Sequence, residues 1–285
     1  MKIDSRTSLI GLLGHPVGHS KSPVMMNQAF QAASLPFVYL AFDVPPRELA
    51  AAVRGLRALG SRGWNVTIPH KVAIIDYLDE LDESARKIGA VNTVVNDDGY
   101  LIGKNTDGAG YLQSLREEMK VNLGESRVVI LGAGGAARAV AHALVDAGLE
   151  ELVIANRTVA KGEELAASLG VGSVKAIPLK EVGRWIKEAT LLVQTTSVGM
   201  EPNREGIPID PALLHEKLIV SDLVYNPYHT RLLKEAKARG ARIHSGLGML
   251  VHQAALAFTH WTGKPAPLEQ MWQAARSSFL GSGQD

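Results

Sequence analysis

The stretch RVVILGAGGAARAVAHALVDAG, residues 127–148, decides how the chain is read. Val128 to Leu131 form a continuous apolar run, the pattern of a strand buried on both faces of a parallel sheet. Gly132-Ala133-Gly134-Gly135-Ala136-Ala137 follows at once, and a helical period then runs to Gly148. A glycine pattern alone is weak, but between a strand and a helix it becomes a dinucleotide fingerprint. Gly132 allows the tight turn, Gly134 lets the backbone approach a pyrophosphate, and Ala137 permits close helix–strand packing. Amides at the start of the helix face the phosphate charge. The candidate contacts are Gly132, Ala133, Gly134, Gly135 and Ala136.

The next strand, ELVIAN, bears on which dinucleotide is bound. An NAD site places Asp or Glu about 20 residues on, to accept from the ribose hydroxyls. Here the strand ends at Asn156, followed by Arg157 and Thr158, with Lys161 one helical turn later. A guanidinium can hold a 2′-phosphate that an acid would repel, so NADP is the expected cofactor. A methyltransferase nucleotide site wants the same missing acid.

Outward from this unit, strand and helix patterns alternate through most of the chain. TSLIGLLG, FVYLAFDV and GWNVTIP read as strands; SPVMMNQAFQAA, PRELAAAVRGLRALG and HKVAIIDYLDEL read as helices between them. AVNTVVNDDGYLIGKN carries hairpin chemistry at Asn96–Gly99 and predicts an antiparallel element at the sheet edge. TLLVQTTS, LIVSDLVY and ARIHS continue the second series, and the last forty or so residues are helices with no strand. The expected fold is α/β, with two successive, mostly parallel sheets, a boundary near 107 and a helical tail.

Composition narrows the function. Thirty Lys and Arg balance 29 Asp and Glu, without a basic block, so nucleic acid is not the expected partner. The absence of Cys excludes disulfides, thiolate metal sites and cysteine nucleophiles. The opening MKIDSRTSLIGLLGHP is too polar for a signal peptide. The most apolar segment, around 128–145, contains Arg138 and His142, so no membrane span is expected. The expectation is a cytoplasmic protein with a small-molecule partner. Whether it forms a homodimer stays open.

The first unit carries a polar constellation. In Asn65-Val66-Thr67-Ile68-Pro69-His70-Lys71, Asn65 and Thr67 share one strand face and Lys71 follows at its carboxyl end, the pattern of a site lip. Asp107 lies where the first unit hands over to the second, a common setting for a ligand cleft. A Lys and an Asp brought together can move a proton. Ser22, before Pro23, suits a helix cap; with Ser20 it can equally hold a ligand carboxylate. His15 and His19 are four apart, but Pro16 and Gly18 oppose a shared helical face, so no metal site is expected. Met25, Met26 and Met249 read first as core.

The order of these motifs resembles the shikimate dehydrogenase family, NADP-dependent enzymes of aromatic amino-acid biosynthesis. The likeness rests on His19–Pro23, Asn65–Lys71, Gly89-Ala90-Val91-Asn92-Thr93, Asn105-Thr106-Asp107-Gly108, Gly132–Ala137, Asn156-Arg157-Thr158 and Gly246–Gln253. It implies that Ser20 and Ser22 hold the carboxylate of shikimate or 3-dehydroshikimate, while Thr67, Asn92, Asp107 and Gln253 bind ring hydroxyls. Lys71 resembles the catalytic acid/base, assisted by Asp107, and Tyr225 a residue reaching the carboxylate. Gly246 and Met249 match positions beside the nicotinamide. The resemblance also implies that the tail returns to the first domain. The divisions are then 1–107 with 245–285 for substrate and 108–244 as a Rossmann-type NADP domain. His70 departs from the Phe or Leu of many relatives. Two alternatives remain: a quinate/shikimate dehydrogenase also using NAD, whose relatives tend to carry an acid near the second-strand end, and a non-catalytic NADP-binding regulator.

Overall fold

The apolar runs build two six-stranded sheets in the computed structural model, which describes residues 3–280. The first sheet contains β1 (Ser8–Gly14), β2 (Phe37–Asp43), β3 (Gly63–Val66), β4 (Glu80–Leu81), β5 (Thr93–Asp97) and β6 (Tyr100–Lys104). The second contains β7 (Arg127–Leu131), β8 (Glu151–Asn156), β9 (Val174–Pro178), β10 (Leu191–Gln194), β11 (Ile219–Asp222) and β12 (Arg242–Ser245). The helices are α1 (Ser22–Ala32), α2 (Leu49–Ala58), α3 (Glu83–Ile88), α4 (Asp107–Met119) and α5 (Gly135–Asp146). They continue as α6 (Val159–Leu169), α7 (Gly183–Ile186), α8 (Arg231–Ala238), α9 (Gly246–Thr262) and α10 (Leu268–Leu280).

The chain divides into two units, one up to Asp107 and again from Val251, the other Gly108–Leu250. The return falls at Val251 rather than 245, because the first turn of α9 is built into the second unit. Met249 packs in that unit's core, and a Cβ on Gly248 would lie 2.0 Å from Ser114 Oγ on α4.

In the second unit every strand pair is parallel and the order is β12-β11-β10-β7-β8-β9. The direction of winding reverses between β7 and β10, the position at which doubly wound sheets open a crevice beyond their strand ends. Val128, Ile130, Leu152 and Ile154 enter one core, while Val129, Leu131, Val153 and Ala155 enter the other. Both faces are therefore covered, which is why these runs show no polar alternation.

The first unit has the order β2-β1-β3-β5-β6-β4. β1 runs parallel to β2 and β3, whereas β5 is antiparallel to β3 and to β6. The hairpin turns at Asp97–Tyr100, with Asn96 Oδ1 accepting from Gly99 N at 2.7 Å. It is not the edge, because β4 lies beyond it. The expected helix over HKVAIIDYLDEL is replaced by a short 3₁₀ turn at Ala73–Tyr77 and then β4. Asp79 explains the change: its backbone N donates to Leu101 O at 3.0 Å, and its Oδ2 accepts from Leu101 N at 2.7 Å. The segment is thus drawn onto β6.

From Val251 the tail packs on this sheet. Trp261 Nε1 donates to Val94 O at 2.9 Å, and the rings of Phe30 and Phe258 stack at 5.3 Å. Lys21 Nζ donates to Ser278 O on α10 at 3.0 Å.

Candidate active site

In the first unit, the end of β3 is tied down before Lys71 begins. Thr67 N donates to Leu13 O at 2.8 Å, and the buried His70 ring holds Val44 O at 2.7 Å. Val91 N donates to the Lys71 carbonyl at 2.7 Å. From that fixed backbone, Lys71 Nζ reaches Asp107 Oδ2 at 2.6 Å, the two side chains being 17% and 7% exposed. The other carboxylate oxygen, Oδ1, accepts from Asn92 Nδ2 at 2.8 Å. Asn92 is the hub: its Nδ2 also approaches Thr106 Oγ1 at 2.9 Å and Gln253 Oε1 at 3.4 Å, while its Oδ1 accepts from Thr106 N at 2.8 Å. A charge-assisted pair held at both ends is short and oriented. It presents an ammonium from a buried polar cluster to solvent. Lys71, Asp107, Asn92 and Gln253 are therefore brought together from four separate stretches of chain.

Ser20 and Ser22 lie at the entrance to α1. Ser20 Oγ accepts from Ser22 N at 3.2 Å, and the cap position falls on Lys21, without a side-chain cap. Ser22 does not cap the helix as its place before Pro23 suggested. Lys21 is drawn away to α10. Asn65 is not a lip residue either: its Oδ1 accepts from Tyr39 OH at 2.7 Å and its Nδ2 donates to Thr93 Oγ1 at 3.0 Å. Asn65 lies inside β3, which is buried along its whole length, whereas Thr67 falls one residue beyond the strand and stays half-exposed. His15 pairs with Asp43 at 2.7 Å, and no group of three His, Asp or Glu suited to a metal occurs among the described residues.

In the second unit, Gly132 adopts φ +108°, and a Cβ there would lie 2.7 Å from Thr195 Oγ1. Only glycine meets both demands. A Cβ on Gly134 would meet nothing within 4 Å, so the loop leaves open space in front of α5. Gly134 caps α5 without a side chain, leaving the first amides of that helix for a ligand's charge. Ala137 is fully buried in the core. Asn156 closes β8 with its Nδ2 donating to Thr158 O at 2.8 Å, and Arg157 and Lys161 are exposed. No acid stands at this strand end. The loop, the bare helix start and the cationic strand end together fit a 2′-phosphorylated dinucleotide.

Gly246 and Met249 lie on the first turn of α9. A Cβ on Gly246 would meet Leu223 O at 2.3 Å; Met249 is mostly core, 8% exposed. Tyr225 sits half-buried on the loop after β11.

The comparisons with known proteins agree along the chain. Residues 12–94 match the shikimate dehydrogenase substrate binding domain, 114–201 the shikimate / quinate 5-dehydrogenase family, and 246–276 the shikimate 5'-dehydrogenase C-terminal domain. A shikimate dehydrogenase (NADP(+)) of Methanopyrus kandleri is 53% identical, covering 96% of this chain and 97% of that protein. The chain belongs to the shikimate dehydrogenase family. Among solved shikimate dehydrogenases, one in complex with NADP+ superposes with a TM-score of 0.91 at 43% identity, covering 98% of both chains. Another, from Thermus thermophilus in complex with NADP(H) and shikimate, gives 0.87 at 41% identity, covering 95% of this chain and all of that one.

One conspicuous residue of this shikimate dehydrogenase family member was missed in the sequence. Asp222 ends β11 with no solvent exposure, its Oδ1 accepting from Val224 N at 3.0 Å and its Oδ2 from Thr230 Oγ1 at 2.7 Å. It clamps both ends of the loop that carries Tyr225. Burial pushes its carboxyl up to about 7, against the hydrogen bonds from Thr230 and Val224. The signal was an acid closing the apolar run LIVSD.

Proposed function

We propose that this chain catalyses the reversible NADPH-dependent reduction of 3-dehydroshikimate to shikimate, in the route to chorismate and the aromatic amino acids. The observation that carries the reading is the Lys71–Asp107 pair at 2.6 Å, buttressed by Asn92, in a chain that also holds an acid-free dinucleotide loop. In this reading the part up to Asp107 and from Val251 takes the substrate, and Gly108–Leu250 takes the cofactor. Ser20 and Ser22 receive the substrate carboxylate, Tyr225 is a further contact to it, and Thr67, Asn92, Asp107 and Gln253 receive ring hydroxyls. Gly132–Ala136 meet the pyrophosphate, Asn156, Arg157, Thr158 and Lys161 the 2′-phosphate, and Gly246 and Met249 the nicotinamide end.

NADPH supplies the hydride when bound. Lys71 Nζ gives a proton to the carbonyl oxygen as that oxygen gains charge, and in the reverse direction accepts it from the hydroxyl. Asp107 keeps the amine in place, and Asn92 keeps Asp107 from turning. The protein's contribution is orientation and the proton.

Shikimate or quinate mixed with NADP+ or NAD+, followed by reduced-nicotinamide absorbance, tests the assignment. Shikimate with NADP+ gives the fastest rate; no rate with any pair would leave a binding module. Comparable quinate turnover would instead point to the dual-specificity alternative. The proposal includes a cytoplasmic location, and light scattering after gel filtration decides between monomer and homodimer.

Arg157→Ala raises KM for NADP roughly 10–100-fold, through the loss of charged hydrogen bonds to a phosphate, and leaves KM for NAD within about two-fold. Equal changes for both cofactors would remove Arg157 from the 2′-phosphate.

A further inference from the structure

Arg157 has a companion on the neighbouring strand. β8 and β9 are parallel and in register, with Asn156 opposite Pro178 as the last pair. Arg157 comes one residue beyond that pair on β8, and Lys180 two residues beyond it on β9. Adjacent strands lie about 4.8 Å apart, so the two backbones emerge side by side at the carboxyl end of the sheet. Both residues line one cavity of about 860 Å³. Leu179, Val182 and Ile209 give it apolar walls. Asp210 also lines it, its Oδ1 accepting from Ala212 N at 2.9 Å at the start of the next 3₁₀ turn, and its single negative charge is outnumbered there by Arg157 and Lys180. No ion pair engages Arg157 or Lys180 among the described residues.

Two cations without ion pairs, from adjacent strand ends and against an apolar wall, fit a phosphate monoester carried beside a flat ring. A guanidinium makes paired hydrogen bonds to such a group, whereas an ammonium on a four-carbon stem adds a movable point charge. We propose that Lys180 is a second reader of the 2′-phosphate and helps set the preference for NADP over NAD. The proposal rests on the reading of Arg157 above and adds to the cluster Asn156, Arg157, Thr158 and Lys161.

Calorimetric titration of the full chain with adenosine 2′,5′-bisphosphate and, separately, NAD+ tests it without turnover. Wild type, Lys180→Ala, Lys180→Arg and Arg157→Ala are compared at one ionic strength. Lys180→Ala weakens the bisphosphate roughly 3–10-fold, a modest loss because the site is open to water, and leaves NAD+ within about two-fold. Lys180→Arg retains most of the affinity. An unchanged bisphosphate affinity in Lys180→Ala alongside a loss in Arg157→Ala overturns the role of Lys180 alone. No loss in either variant overturns the placement of the 2′-phosphate and this inference with it. An equal loss for bisphosphate and NAD+ in Lys180→Ala assigns Lys180 to general binding and overturns its part in discrimination.

Discussion

Lys71→Ala lowers kcat for shikimate oxidation roughly 10²–10⁴-fold, the usual worth of a positioned general acid or base. In barrier terms the loss is on the order of 3–5 kcal/mol. KM for shikimate stays within a few-fold, because the carboxylate contacts assigned to Ser20 and Ser22 do not pass through the amine. The local backbone survives the change, since it is held by Val91 N on the Lys71 carbonyl and by His70 on Val44. What is lost is the cation beside Asp107, whose carboxyl is 7% exposed and keeps only its neutral partners. Leaving a buried acid unpaired costs stability. Thermal unfolding of the variant, and of Lys71→Met, which retains the stem, therefore accompanies the kinetics. A folded variant with near-normal kcat would take Lys71 out of proton transfer.

The ease with which this chain is read varies with burial. β7 and its glycine loop were plain because both faces of the strand are covered and Gly132 is forced to a positive φ. The absence of an acid after β8 was equally plain, since strand-end residues follow directly from the end of the apolar run. The edge strands behave differently. β9 is mostly half-exposed and ends at Pro178, and β4 is two residues long, so neither shows a run or an alternation. β4 forms because Asp79 pairs with Leu101, a contact across 22 residues that no local pattern encodes.

The site divides in the same way. Lys71 and Asp107 could each be picked out by position, but their meeting depends on β3, β5 and the start of α4 converging. Asn92 entered only through the family likeness, and its place as the common partner of Asp107, Thr106 and Gln253 is a property of the folded network. Asn65 shows the opposite error. Strand periodicity pairs it with Thr67, yet β3 ends at Val66 and Asn65 lies in a buried network where Tyr39 and Thr93 use its amide. A shared strand face alone does not separate a polar residue that faces a ligand from one that serves an interior network.

Asp222→Asn removes a pH dependence of stability that the wild-type chain carries between about pH 4 and 7. Burial raises the Asp222 carboxyl from 3.8 to about 7. The folded state therefore keeps the proton across a range in which the unfolded chain has released it. The contribution is fully present below the unfolded value and is lost as pH rises through the folded one, so wild-type stability falls over this interval and levels off above it. At roughly 1.4 kcal/mol per pH unit the full fall is on the order of 4 kcal/mol, an upper figure. An Asn side chain can still accept from Val224 N, and the Thr230 hydroxyl can turn to accept from the new amide, so the Tyr225 loop remains closed. Urea unfolding of both proteins from pH 4.5 to 8 isolates the effect, since other carboxylates titrate alike in the two. The variant gains on wild type by a few kcal/mol toward pH 7, and the difference is constant beyond it. Parallel curves across the whole range would mean that Asp222 ionises at an ordinary carboxylate pH, and that the clamp on the Tyr225 loop is charged throughout.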